Sequence, residues 1–190
     1  MNTSRQDWQQ GLPLLSRGPV RLREVDFSDV PALMAFLTSP DTARFIPPPP
    51  SSVEGFEAFI RAMHDGRAAG RIACFVVLPA NSDMAQGIIS LRAPKVPGVP
   101  WNWGFVFGSP AWGTGAFAEA ARLALDFGFH DIGLPAIEAW CPLSNGRAHG
   151  ALAKLGAEPE LVKNVDAPDG RHGRFIRWTI RRESGSNDMP

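Results

Sequence analysis

The chain has 190 residues, 44% of them apolar and 20% charged, which suits one domain, or one domain with tails, and is neither disordered nor membrane-like in composition. Lys plus Arg number 19 and Asp plus Glu number 19, so no global field exists to hold a phosphate polymer, and nucleic acid is excluded as a partner unless a local patch supplies one. No apolar run approaches a membrane span, Met1 to Gln10 lack an apolar signal core, and Cys74 and Cys141 give neither a disulfide framework nor zinc spacing; the expectation is a cytoplasmic protein with no membrane contact and no metal.

The ends, Met1–Gly11 and Glu183–Pro190, read as flexible tails around one domain over residues 12–182. Val20–Glu24 reads as a first strand and Asp29–Thr38 as a short helix. Pro47–Pro50 lacks amide donors and has fixed backbone angles, so it is a stiff extended connector. Ser51 or Ser52 can cap a helix reaching about Asp65, in which Phe56, Phe59, Ile60 and Met63 recur at helical spacing. Ile72–Leu78, Gly87–Leu91 and the aromatic Trp101–Phe107 read as three strands. A turn at Asn81–Asp83 and a loop built on Pro94, Pro97, Gly98 and Pro100 separate them.

The turn Gly108–Gly115 then feeds a long helix from about Ala116 to Gly128, with Phe117, Ala120, Leu123, Ala124 and Phe127 on one face. Ile137–Cys141 is the next strand. Asn145 can cap a helix running to Leu155, which Gly156 would end in a left-handed conformation. After a turn at Ala167–Gly173, the alternation of Ile176, Trp178 and Ile180 marks a last strand. The order is strand, two helices, three strands, helix, strand, helix, one or two strands. That is mixed α/β (α+β), with hairpins early and one parallel crossover late, not a doubly wound sheet.

The segment that carries chemistry is the strand–turn–helix from Phe105 to Phe117. A helix start leaves amide N–H groups unpaired and partially positive, and Gly113 and Gly115 remove the bulk that would keep a phosphate from the backbone. A Walker loop is excluded, because Thr114 stands where its lysine belongs. Gly113, Gly115 and Ala118 match the dinucleotide pattern G-x-G-x-x-G/A, with Glu138 at the rough offset of a ribose ligand. Against a dinucleotide, five residues separate Phe107 from Gly113, and Glu138 falls early in its strand.

Asn102 to Gly115, with Trp103-Gly104-Phe105 and Trp112-Gly113-Thr114-Gly115 followed by Glu119-Ala120, resembles the fourth strand and pyrophosphate loop of the GNAT acetyltransferases. The branch it is most similar to is the Rim-type N-terminal acetyltransferases of ribosomal proteins. Asn145-Gly146-Arg147, Ala151-Leu152 and Lys154-Leu155-Gly156 resemble the second CoA-binding helix of that branch. The likeness covers roughly Val20 to Ile180. It implies a mostly antiparallel sheet of six to seven strands, helices on both faces, and a V-shaped splay between the fourth and fifth strands. It also implies acetyl-CoA as co-substrate and no metal. Phe105, Val106 and Phe107 would run beside the pantetheine arm, one amide polarising the thioester carbonyl. Trp112, Gly113, Thr114, Gly115, Ala116 and Phe117 would hold the pyrophosphate, and Asn145 would cap its helix and bond the cofactor. The acceptor would be a primary amine, on a protein N-terminus or a small molecule, attacking directly in a ternary complex formed by a monomer or homodimer. The alternative is a CoA-binding module with little or no turnover.

The chain departs from that family pattern in ways that bear on proton transfer. Phe117 replaces a small residue in the loop, Asn102 stands where a glutamate is common, Ala148 replaces a serine, and the chain has no tyrosine to protonate a leaving thiolate. Asn102 and Glu138 are the candidate catalytic residues, Glu138 either as a base acting through water or as a solvated or salt-bridged strand residue. His64, His130, His149 and His172 read as surface or helix-end residues, and of the four His149, in the second CoA helix, is the one with an alternative reading as an acid. Trp103 is expected in the core and Trp101 in the wall of an acceptor pocket. Arg171, Arg174, Arg177, Arg181 and Arg182 read as a solvated sheet edge, or as a contact for an acidic acceptor or for the CoA 3′-phosphate.

Overall fold

The valine-rich run 72–79 shows how the fold is built. Ala73, Phe75 and Val77 point to one face of the sheet and Cys74, Val76 and Leu78 to the other, all buried, so both faces must be covered. The computed structural model describes residues 7–167 and 170–182, with side chains throughout except at 162–165; the expected tail Glu183–Pro190 and residues 1–6 lie outside them. The strands are β1 (Leu15–Arg17), β2 (Val20–Glu24), β3 (Ile72–Pro79), β4 (Gly87–Arg92), β5 (Trp101–Phe107), β6 (Ala136–Pro142), β7 (Glu158–Asp166) and β8 (His172–Arg181). The helices are α1 (Val30–Leu37), α2 (Pro40–Ala43), α3 (Val53–Ala68), α4 (Ala116–Asp126) and α5 (Gly146–Lys154). Among the described residues no helix is long and apolar enough to cross a membrane.

The strands form one sheet in the order β1-β2-β3-β4-β5-β6-β8-β7, antiparallel throughout except for the parallel pair β5/β6. Helices α4 and α5 cover one face through Ala120, Ala124, Ala148 and Leu152; α1 and α3 cover the other through Leu33, Phe56 and Ile60. Ser52 caps α3 by accepting from the Gly55 amide at 3.2 Å. Among the described residues the β5/β6 ladder holds only at Trp101↔Ile137 and Asn102↔Glu138, and the rest of that edge of β5 has no strand beside it. This is the expected splay, in its expected place.

Among the described residues the sheet has eight strands, not the six to seven expected. β1 has three residues and pairs only at the edge of β2, too short for its alternation to be read. β7 contains Pro159 and three acidic residues, which weaken its signal; both are tolerated because it is an edge strand. β8 is consequently an inner strand, which corrects the reading of its arginines as a bare edge. The central helix does not stop at Gly128. It continues as a wider π-helical turn, Phe127–Ile132, and Gly128 is a packing position inside it, where a Cβ would come to 2.7 Å from Ile137. Residues 7–11, counted with the N-terminal tail, are docked: Trp8 sits edge-on to Trp101 and Phe127 at 6.4 and 6.3 Å.

Candidate active site

The loop between β5 and α4 is organised by its own side chains. A short 3-10 turn, Ser109–Ala111, follows β5, and the Trp112 indole N–H donates back to the Phe107 carbonyl at 2.9 Å. The Thr114 hydroxyl donates to the Ala111 carbonyl at 2.8 Å and accepts from the Ala116 amide at 3.2 Å. Gly113 and Gly115 take φ of 74° and 83°, the left-handed region that an L side chain resists. Among the described residues, the amides of Gly113, Thr114, Gly115 and Phe117 make no hydrogen bond to the protein, whereas those of Ala118 and Glu119 return to the Gly115 carbonyl. A Cβ built on either glycine would meet nothing within 4 Å. The helix start therefore combines unpaired donors with two glycines that add no bulk, which is the requirement of an anion seat.

The Phe117 ring turns into the sheet side, 4.9 Å from Phe105, 5.4 Å from Phe107 and 6.0 Å from Trp103. Across the loop, the Arg147 guanidinium lies 3.6 Å over the Trp112 ring, joining the first turn of α5 to the first approach to α4. Asn145 caps α5, its side chain accepting from the Ala148 amide at 3.2 Å.

A cleft of about 2220 Å³ runs from this loop through the splay to the proline segment 47–50, and Phe105, Val106, Phe107, Trp112, Gly113, Gly115, Phe117 and Asn145 all reach it. Its other end is floored by the α3 face of β4, β5, β6 and β8. There Arg92, Asn102, Glu138 and Thr179 form one cross-strand row, register partner to register partner. Glu138 is 7% exposed. Among the described residues its carboxylate accepts no hydrogen bond, and its one cationic neighbour within 4 Å is Arg177, whose Nε lies at 3.8 Å. That Nε is itself buried without a hydrogen-bond partner, although the same guanidinium also pairs with Glu160. A buried carboxylate in this condition has open acceptor sites and faces a cleft, so it can take a hydrogen bond from an ammonium or amine. The Asn102 amide reaches toward the Glu138 carbonyl at 3.5 Å.

Two expectations are corrected here. Trp101 is not in the cleft; it lies on the α4 face against Trp8, and the aromatic wall is Trp140, one turn of the pleat beyond Glu138. His149 is not a free acid. Its Nδ1 accepts from the Trp178 indole at 3.0 Å, so its Nε2 carries the proton and donates to the Pro142 carbonyl at 3.0 Å. Trp103 is in the core, as expected. Sequence reasoning missed Trp140, Ser90 and Arg92; their signal was the alternation in β4 and β6, where a polar or large aromatic residue breaks an apolar face. Among the described residues no group of His, Cys, Asp or Glu is placed to hold a metal ion.

The profile of the acetyltransferase (GNAT) domain family matches residues 20–158, most of the chain and both halves of the cleft. The chain belongs to the GNAT acetyltransferase family. Acyl transfer is thus the general activity that its membership supports. This GNAT chain is 22% identical over 152 residues to the uncharacterized N-acetyltransferase p20 of Bacillus licheniformis, covering 79% of the one and 85% of the other. Its fold is shared with the ribosomal-protein-S5-alanine acetyltransferase of Vibrio fischeri, with a TM-score of 0.78, 18% identity, and 90% and 98% of the two chains covered. It is shared too with Mycobacterium smegmatis RimJ in complex with CoA-disulfide, with a TM-score of 0.70, 21% identity, and 90% and 89% covered.

Proposed function

We propose that this GNAT protein transfers an acetyl group from acetyl-CoA to a primary amine, the two substrates bound together in the cleft. The observation that carries this reading is the set of amides at Gly113, Thr114, Gly115 and Phe117 with no hydrogen-bond partner among the described residues, in a loop whose Gly113, Gly115 and Phe117 line the cleft. Those donors, the Arg147 guanidinium beside them and the strandless edge of β5 fit a diphosphate joined to an extended arm. Bound there, acetyl-CoA supplies a thioester whose acyl carbon passes to the amine nitrogen, the thiol being the leaving group.

The residues of the chain then have separate tasks. Gly113 to Phe117 bind by backbone donation, and the Trp112 indole holds that loop against the end of β5. An amide on the open edge of β5, within Phe105 to Phe107, polarises the carbonyl oxygen. Glu138 orients the acceptor amine and takes its proton, directly or through one water. Asn102 holds the β5–β6 junction where the strands part. No tyrosine is available to protonate the thiolate, and both nitrogens of His149 are engaged; a thiol of pKa near ~8.5 leaves without such an acid. The cytoplasm, where free thiols such as Cys74 and Cys141 persist, is the proposed setting.

Two measurements test this. Acetyl-CoA, and not NAD(H), raises the melting temperature, since a ligand that binds only the folded state stabilises it. A panel of amines including peptide N-termini is then screened for release of free thiol; the two protein thiols are buried and do not interfere. Stabilisation by acetyl-CoA with no thiol release from any amine would favour a CoA-binding module instead. That second reading draws on the same engaged histidine and missing tyrosine.

A further inference from the structure

The charges of this electrically neutral chain are unevenly placed. Among the described residues nine cationic side chains line the cleft against three carboxylates, Asp41, Glu138 and Asp166. Three of the cations, Arg122, Arg147 and Lys154, stand on α4 and α5, the helices that flank the amide loop, and Arg147 lies over its Trp112; they suit the phosphates of CoA. The other six belong to the acceptor end, so that end also carries an excess of positive charge.

Within that end the cations differ in how well they are satisfied. Arg177 pairs with Glu160, and Arg171 donates to the Phe45 carbonyl. Arg92 has no carboxylate partner among the described residues. It is half-buried, its Nε donates to the Ser90 hydroxyl at 3.3 Å, and its Nη2 faces the Met63 sulfur at 3.3 Å. A hydroxyl and a thioether are weak acceptors, so the guanidinium keeps a forked set of donors suited to a carboxylate or phosphate. Arg92 lies in the same row as Glu138, with Asn102 between them, so two strand spacings, roughly 9.5 Å, separate their backbones. In the next row Gly104 faces Ser90, and a Cβ there would stand 3.1 Å from the serine oxygen. The floor is thus low where a molecule would lie across β4, β5 and β6.

Building on the acyl-transfer reading, we infer that the acceptor is an amine that carries its own anionic group, with Glu138 taking the nitrogen and Arg92 the anion. Each buried or half-buried charge of the row is then met by its opposite, and a neutral amine leaves the Arg92 fork without an ionic partner. Arg92 is a specificity-determining residue of the acceptor site, and the ligand class is an amino acid, or a peptide whose residues next to the N-terminus are acidic or phosphorylated.

The test compares matched amines that differ only in the anion, using the full chain and saturating acetyl-CoA. The pairs are the dipeptide amides Ser-Asp and Ser-Asn, and β-alanine and β-alaninamide; thiol release is the readout. The anionic member of at least one pair has a kcat/KM about tenfold or more above its neutral partner, as a charge-assisted contact provides. The pair that responds tells peptide from small amino acid. Arg92→Gln brings that ratio close to one, and Arg92→Lys, which keeps the charge but not the fork, retains a part of it. Should none of the four release thiol, their N-acetylated products are titrated against CoA-saturated protein and the ratio is read from Kd. A ratio near one for both pairs, or one unchanged by Arg92→Gln in a variant that still melts cooperatively, overturns the inference alone. Absence of any stabilisation by acetyl-CoA overturns the acyl-transfer reading and this inference with it.

Discussion

Replacing Gly115 by alanine separates the phosphate seat from mere turn geometry. Gly115 has φ 83° and ψ −9°, and an L residue there costs about 1–2 kcal/mol of backbone strain. No steric term adds to it, because the new Cβ would meet nothing within 4 Å. A loss of this size lowers the melting temperature by about 2–4 °C per kcal/mol in a domain of this length. Relief of the strain turns the peptide plane, and with it the amides of Gly115 and its neighbours. Each donor withdrawn from a charged oxygen forfeits about 1.5–3 kcal/mol. CoA affinity, measured by titration calorimetry, therefore falls by roughly tenfold to a hundredfold or more. Gly18 is the control. It lies in the β1–β2 turn with φ 53°, and its Cβ would also meet nothing, so alanine there carries a similar strain away from the cleft. Gly18→Ala loses comparable stability and binds CoA unchanged. Equal effects of the two variants on affinity would refute the seat.

Glu138→Gln keeps the shape of the buried side chain and removes the proton acceptor, so acetyl transfer drops by about 10²–10⁴ while CoA affinity holds; a variant with full turnover would remove Glu138 from the chemistry. Trp112→Phe deletes the indole donor to the Phe107 carbonyl but keeps a ring under Arg147, so CoA binds several-fold, about 1 kcal/mol, less tightly by calorimetry. Burial pushes the Cys74 and Cys141 thiols from an ordinary 9.0 up to about 12. The unfolded chain therefore loses these protons first, and stability, intact below pH 9, falls toward pH 12 by about 1.4 kcal/mol per pH unit for each thiol. With no tyrosine in the chain, urea melts across pH 8–10.5 read this slope directly, and it is expected to vanish in Cys74→Ala/Cys141→Ala.

Elements with a strong period or an unambiguous cap were legible in the sequence. Ile72–Pro79 alternates into two cores, Ser52 and Asn145 cap the helices they precede, and the glycines at 113 and 115 mark a turn that only a positive φ can make. What escaped was set by tertiary partners. β1 is too short to show a period, and β7 hides behind Pro159 and its acids because an edge strand needs neither a full ladder nor two apolar faces. Gly128 looked like a helix end, yet it is small because Ile137 and Leu91 pack against it. The same holds for the cleft. Phe117 looked obstructive until its ring found Phe105 and Phe107, and Trp101 looked like a pocket wall until strand parity turned it toward Trp8. The row Arg92–Asn102–Glu138 is spread over 47 positions of chain and exists only through register.

Amide chemical shifts of the nitrogen-15-labelled protein, followed while CoA is added, interrogate the loop atom by atom. The resonances of Gly113, Thr114, Gly115 and Phe117 are expected to move downfield together and saturate, with those of Ala118 and Glu119, already bonded to the Gly115 carbonyl, moving less. If CoA binds and these four signals stay where they were, the diphosphate rests elsewhere and the account of the cleft is wrong.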